Sequence, residues 1–186
     1  FFKKFRGLKI LNIGRLTDQK DQITIIKSLA ILKKKKINFR CSIIGRGSYY
    51  HILMSEIKRL KLAKNIKLIG FRKNAEKYIS QSDIFVLSSK FEGLPNVLIE
   101  AQKYGVPIIS SNCPTGPKEI LMNGKFGELF PVGNFQILAN KLLNFSKNKK
   151  NLKKKASYAK KNLKRFDSII NSKKYLDLIL KDYEKI

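Results

Sequence analysis

Six short apolar runs, each followed by a stretch of helical periodicity, set the terms on which this chain can fold. LKILNIG (8–14), FRCSIIG (39–45), IKLIG (66–70), DIFVLSS (83–89), VPIISS (106–111) and GELFPV (127–132) read as strands. They are apolar nearly throughout, with no regular alternation against polar residues, the signature of strands covered on both faces. Strands that alternate with helices predict a parallel sheet. The expected fold is therefore α/β, a Rossmann-like parallel sheet with helices on both faces. QITIIKSLAILKKK (22–35) is expected to be a helix capped near Asp21, with Ile23, Ile26 and Ala30 on one face. A second helix should run to about Lys64, AEKYISQ (75–81) is a short one, and PKEILMNG (117–124) another, ended by Gly124. Gly105 is a natural stop for the helix before it. From Phe135 onward only helices are expected, in FQILANKLLNFSK, NLKKKASYAKKNLKRF and SIINSKKYLDLILKDYEKI. Residues 1–186 read as a single domain, with 146–186 a basic helical extension.

Ligands of such sheets bind in the crevice at the carboxyl ends of the strands, so the loops after the first, second and fourth strands are where chemistry belongs. The first loop, GRLTDQKD, offers Gly14 for close backbone approach and the cations Arg15 and Lys20. A guanidinium forks onto phosphate oxygens and an ammonium acts as a point charge, so the two suit a diphosphate; two solvated surface charges fit this loop equally. In the second loop, GRGSYY, Gly45 and Gly47 suit either a phosphate-cradling turn or a tight strand-to-helix turn. A full GxGxxG is not met. The richest loop follows the fourth strand. FEGLPNVLIEA (91–101) places Glu92 before a helix and Glu100 inside it. Pro95 suits the first helical position, where the free backbone N–H groups form a seat for an anion. The two carboxylates could accept hydrogen bonds from sugar or ribose hydroxyls. Equally, Glu92 could cap the helix and Glu100 pair with a lysine.

Composition bounds the partners. With 186 residues, 43% of them hydrophobic, a sizeable core can be buried. No apolar run approaches the length of a membrane-spanning helix, and no cleavable signal is evident, so a cytoplasmic protein is expected. Cys41 and Cys113 lack CxxC spacing, which fits a reducing compartment. One histidine, His51, makes no metal site by itself. Lys and Arg outnumber Asp and Glu by 40 to 13, a formal charge of +27. Such a charge attracts nucleic acid, anionic lipid or phosphate-bearing substrates, but lysine, isoleucine, asparagine and phenylalanine are abundant together, as AT-rich coding would also produce. The chain begins at Phe1 and not at Met, which leads to the expectation that sequence upstream is absent.

Residues 8 to about 145 resemble the C-terminal, donor-binding half of a GT-B glycosyltransferase of family 4, the group 1 glycosyltransferases. The resemblance is carried by GRLTDQKD, by SDIFVLSSKFEGLPNVLIEA with its glutamates seven residues apart, and by YGVPIISSNCPTGPKEILMNGKFGELFPVGN. It implies that Arg15 and Lys20 bind the diphosphate of a nucleotide sugar, Glu100 the ribose hydroxyls and Glu92 the transferred sugar. Gly14 and the backbone around Gly93, Leu94, Pro95 and Asn96 would complete the seat, with Gly70, Phe71 and Arg72 approaching the base. Family members often read EGFG where this chain has EGLP, and paired glycines where it has CPTGPKEI; Gly116 and Glu119 match. The variant resembles bacterial transferases that build polysaccharide or lipid-linked oligosaccharide.

The resemblance also implies a retaining transfer that needs no metal and no cofactor. Arg15, Lys20 and helix N–H groups would stabilise the leaving diphosphate, with Glu92 a positioning and charge-stabilising group and not a base. An N-terminal acceptor domain, absent from this chain, would bind the glycan or lipid-linked acceptor. By itself the chain is expected to bind a nucleotide diphosphate, UDP first, weakly and to transfer nothing. The last helix would pack toward the missing half, or else fray as a basic tail. A nucleic-acid-binding module on the helices from Lys141 to Lys185 is the competing reading, and Tyr158, Phe166 and Tyr175 are too sparse to favour it. Peripheral contact of the same helices with anionic membrane, at its inner face, is a third.

Overall fold

A computed structural model describes residues 2 and 4–183, and all six predicted strands form. β1 (Leu8–Ile13), β2 (Phe39–Ile44), β3 (Ile66–Gly70), β4 (Ile84–Leu87), β5 (Ile108–Ser111) and β6 (Glu128–Phe130) make one parallel sheet in the order β3-β2-β1-β4-β5-β6. The connections are α1 (Gln22–Lys34), α2 (Tyr50–Arg59), α3 (Glu76–Ile79), α4 (Asn96–Lys103) and α5 (Pro117–Ile120). Three helices follow the sheet: α6 (Phe135–Lys147), α7 (Lys150–Lys161) and α8 (Ser168–Tyr183).

Continuous apolar strands are needed because successive side chains enter two different cores. Ile10, Ile84, Val86 and Ile109 face the first, where α1, α2 and α6 supply Ile25, Leu29, Leu53, Ile57, Leu138 and Leu142. Their neighbours Leu11, Phe85, Leu87 and Ile108 face the second, closed by Ile79, Leu98, Ala101 and Ile120 of α3, α4 and α5. β1 pairs with both β2 and β4, so the chain's crossovers diverge at this central strand. That switch point opens a crevice at the strands' carboxyl ends.

Several local expectations need correction. In α1 the fully buried apolar residues are Ile25, Ile26, Leu29 and Leu32, whereas Ile23 and Ala30 are only partly buried. The helix shares its core with both α6 and α2 on one face of the sheet, and its inward stripe differs from the expected one. α2 ends at Arg59, five residues before Lys64, because Lys61 adopts a left-handed conformation (φ 56°) and the Leu62 N–H bonds back to Ile57 O at 2.8 Å. β4 begins after Asp83, whose carboxylate is occupied by the Lys9 N–H at 2.9 Å and Lys149 Nζ at 3.0 Å. Pro95 is the residue before α4 and not its first, with ψ 90° outside the helical range. The expected helix 151–166 divides into α7 and a 3-10 turn, Leu163–Phe166. Residues 184–186 of the last expected helix lie outside the described residues.

Candidate functional site

Two loops meet over the switch point. The first, between β1 and α1, contains a 3-10 turn at Asp18–Lys20 and ends at Asp21, which is left-handed (φ 43°) and caps α1 by accepting from the Thr24 N–H and hydroxyl. The second joins β4 to α4. They are tied together: the Lys90 N–H donates to Gln19 O at 2.8 Å, Gln19 Nε2 donates to Phe91 O at 3.0 Å, and Lys90 Nζ pairs with Asp18 at 2.6 Å. This ammonium holds the Asp18 carboxyl below the usual carboxylate range, chiefly through their hydrogen bond. Below them, the buried Ser88 hydroxyl donates to Lys20 O and Asp21 O at 2.9 and 2.8 Å. The end of β4 thereby fixes the backbone that carries Lys20.

Lys20 and Glu92, 72 residues apart in sequence, form an ion pair of 2.5 Å, with side chains only 16% and 6% exposed. The Ser89 hydroxyl donates to the same carboxylate oxygen at 2.6 Å, and the Ser111 hydroxyl in turn donates to Ser89 O at 2.7 Å. Thr115 donates its hydroxyl to Glu92 O. A carboxylate this enclosed is oriented by those donors. Glu92 therefore does not cap α4. The Lys20 stem lies under Gly14, where a Cβ would meet its Cδ at 3.6 Å.

Beside this pair lies a cavity of about 420 Å³ lined by Gly14, Arg15, Arg46, Phe71, Arg72 and Glu100, with Ile13, Ile44, Gly45 and Ala75. Arg15 Nη2 donates to Gln19 Oε1 at 3.3 Å, and the Arg46 guanidinium stands 5.9 Å from the Phe71 ring centre. The cavity thus combines three guanidinium groups, one exposed aromatic face and one carboxylate. Glu100 is exposed on α4 and has no ion pair or hydrogen bond through its side chain among the described residues, so it does not pair with a lysine. Next to the ion pair, the backbone N–H groups of Gly93, Leu94, Asn96 and Val97 make no hydrogen bond among the described residues. Free N–H groups at a helix start are an anion seat.

The predicted residues therefore fall into two groups. Gly14, Arg15, Phe71, Arg72 and Glu100 share the cavity, while Lys20 and Glu92 stand apart from it at the start of α4, with Gly93 and Leu94 next to them. Arg15 and Lys20 meet different partners in the structure, Gln19 Oε1 and Glu92 Oε1. Gly70 ends β3 (φ 76°), where its carbonyl accepts the Gly45 N–H at 3.1 Å, and Asn96 lines a separate groove between α4 and residues 163–167. Gly45 and Gly47 are explained by packing: a Cβ on either would lie 1.9 Å from Gly14 O or 2.1 Å from Leu16 O. Gly116 is similarly pressed against Gly93 O and Pro95. Sequence reasoning missed Arg46, although it stands in a loop directly after a strand, and Ser89 and Thr115, whose link to Glu92 runs through space.

The family model described as glycosyl transferases group 1 matches residues 3–163. The chain is 31% identical over 160 residues to a Campylobacter jejuni N-acetylgalactosaminyltransferase acting on a diphospho-undecaprenol-linked sugar, covering 86% of this chain and 43% of that protein. It is 35% identical over 147 residues to the amylovoran biosynthesis glycosyltransferase AmsK of Erwinia amylovora, covering 75% of this chain and 36% of that one. Among solved structures it resembles Anabaena HepE in complex with UDP, with a TM-score of 0.85 at 23% identity, covering 94% of this chain and 49% of that chain. The chain spans less than half the length of each of these proteins. Its sheet is the Rossmann-like half of a GT-B fold, and the chain belongs to the group 1 glycosyltransferases.

Proposed function

We propose that this chain is the donor-binding half of a retaining glycosyltransferase. The whole enzyme would move a sugar from a nucleotide-diphosphate donor, a UDP-sugar, to a glycan or lipid-linked acceptor in bacterial surface polysaccharide synthesis. The observation that carries the reading is one crevice holding three kinds of complementarity in order: the cavity with Phe71 and Glu100, the free N–H groups at the start of α4, and the Lys20–Glu92 pair. Base and ribose fit the first, with the unpartnered Glu100 carboxylate accepting from ribose hydroxyls. The diphosphate fits the second, flanked by Arg15. The sugar would then lie against Glu92. The relatives' roles in amylovoran biosynthesis and on a diphospho-undecaprenol-linked sugar support the acceptor class.

In the transfer, the bond from the anomeric carbon to the diphosphate breaks and negative charge grows on the leaving phosphate. Lys20 would divide its hydrogen bonds between Glu92 and that phosphate, with Arg15 and the α4 N–H groups adding fixed positive potential. The acceptor hydroxyl oxygen would bond to the anomeric carbon on the face the phosphate leaves, its proton passing to the departing phosphate oxygen, and the chemistry calls for preorganised positive charge, which these groups would supply without a metal. Glu92, anchored by Ser89, is oriented to steady the sugar and the positive charge that develops on it. The acceptor would come from the half that this chain lacks.

Calorimetry with UDP tests the reading. Saturable binding is expected, weakened at least about tenfold by Glu100→Ala or Lys20→Ala, in line with one or two lost charge-assisted hydrogen bonds. Binding of UDP no stronger than that of inorganic diphosphate, or unchanged in both variants, would refute it. Sugar transfer by the isolated 186 residues would overturn the assignment of the acceptor site to another domain.

A further inference from the structure

The chain's positive charge is unevenly placed. Residues 129–166 contain 11 Lys and Arg and no Asp or Glu, whereas the preceding 128 residues contain 25 and 9. α7 lies within this acid-free stretch. Leu152, Ala156 and Ala159 are buried, which fixes the helix's rotation. Lys150, Lys153, Lys154, Tyr158 and Lys161 are all exposed, at spacings of three and four that keep them on one stripe. Lys154 Nζ lies 5.9 Å from the Tyr158 ring centre, and none of the four lysines is in an ion pair among the described residues.

The stripe's position follows from what its neighbours touch. Lys149 Nζ bonds Asp83, just before β4; Lys155 Nζ donates to Gly127 O, just before β6; the Lys160 stem lies against Gly105, which ends α4. α7 thus crosses beneath the amino ends of the strands, at the opposite end of the sheet from the crevice.

We propose that this stripe is a docking surface for an anionic phospholipid bilayer. Its charges are lysines only. Ammonium groups suit a fluid layer of headgroup phosphates, which demands no fixed fork geometry. Tyr158 supplies an amphipathic ring of the kind found at membrane interfaces. The stripe is the convex outside of one helix, without the groove and interleaved aromatics that a single-stranded nucleic acid would need. Docking there leaves the crevice free, so donor and bilayer bind independently. The inference does not rest on the identity of the nucleotide.

Vesicle co-sedimentation tests it, using phosphatidylcholine with and without phosphatidylglycerol. A variant carrying Lys150→Gln, Lys153→Gln, Lys154→Gln and Lys161→Gln is compared with a charge-matched control carrying Lys33→Gln, Lys34→Gln, Lys35→Gln and Lys36→Gln at the exposed end of α1. The chain and the control should bind only the anionic vesicles, and the α7 variant at least about tenfold more weakly. UDP should not compete. If the fourfold variant fails to fold, Lys153→Gln and Lys161→Gln singly should each lose about threefold. Equal losses in variant and control, no binding to anionic vesicles, or displacement of vesicles by equimolar DNA duplex would each overturn the proposal.

Discussion

At the scale of single residues, Glu92 is the most constrained group in the crevice. It is reached by Lys20 and Ser89 on its carboxylate and by Thr115 on its carbonyl, and Gly116 is pressed against the next residue's oxygen. This enclosure distinguishes it from Glu100, which waits unpaired at the cavity edge. Glu92→Gln keeps the shape but leaves the half-buried Lys20 ammonium without its counter-charge. We expect a loss of about 1–3 kcal/mol in stability by urea titration. UDP binding should change by less than about threefold, because the nucleotide-facing groups stay in place. Loss of UDP binding comparable to that of Glu100→Ala would place Glu92 at the nucleotide and not at the sugar. The roles of these two glutamates could be suggested from FEGLPNVLIEA, since spacing alone separates a loop residue from a helical one. The long-range partners of Glu92 could not, because Lys20 and Thr115 are brought to it only by the neighbouring strands β1 and β5.

At the scale of elements, three helices close in the same way. α1, α2 and α4 each end with a left-handed residue, Lys36 (φ 56°), Lys61 (φ 56°) and Gly105 (φ 65°). The next residue's N–H then reaches back: Ile37 to Leu32 O, Leu62 to Ile57 O and Val106 to Ala101 O, at 3.1, 2.8 and 3.0 Å. The apolar residue that follows is turned inward, as in a Schellman motif. Only Gly105 announces itself in the sequence; the two lysines occupy a conformation that costs an L-residue about 1–2 kcal/mol. The buried Leu62 compensates by anchoring the end of α2, which is why that helix stops before Lys64. Replacing both lysines, Lys36→Gly and Lys61→Gly, should stabilise the fold by about 1 kcal/mol or more after glycine's extra unfolded-state entropy is deducted. A higher urea midpoint with an unchanged slope is the expected readout.

At the scale of the whole molecule, α8 stands out. Ile169, Tyr175, Leu176, Leu178 and Leu180 are all more than half exposed, and its contacts are with the turn at Leu163–Phe166. A helix with this much apolar surface and so little of it covered takes its stability from a partner. The relatives are about twice as long as this chain, and we infer that α8 packs on the portion they have in addition. Truncation after Asp167 should then shift the isolated chain's unfolding free energy by less than about 1 kcal/mol, since little buried area is removed. A larger loss would mean that α8 is part of this core. α7, more basic in sequence than α8, behaves oppositely: its buried Leu152, Ala156 and Ala159 make it part of the folded body.

The order of strands and helices, the parallel sheet and the family were determined by the sequence alone, because apolar runs covered on two faces admit few arrangements and the loop motifs recur in fixed order. Tertiary structure decided what those motifs do to one another. Arg15 and Lys20 look like one cationic pair in GRLTDQKD, yet in the fold Arg15 reaches Gln19 and lines the cavity while Lys20 is held by Glu92. Arg46, set between two packing glycines, becomes a cavity residue only once β2 lies beside β1. The basic stripe, likewise, is visible as a direction only when buried Leu152 and Ala156 fix which way α7 is turned. Sequence carries composition and spacing along the chain; which side chains converge is settled by strand order and helix rotation, quantities that arise only on packing.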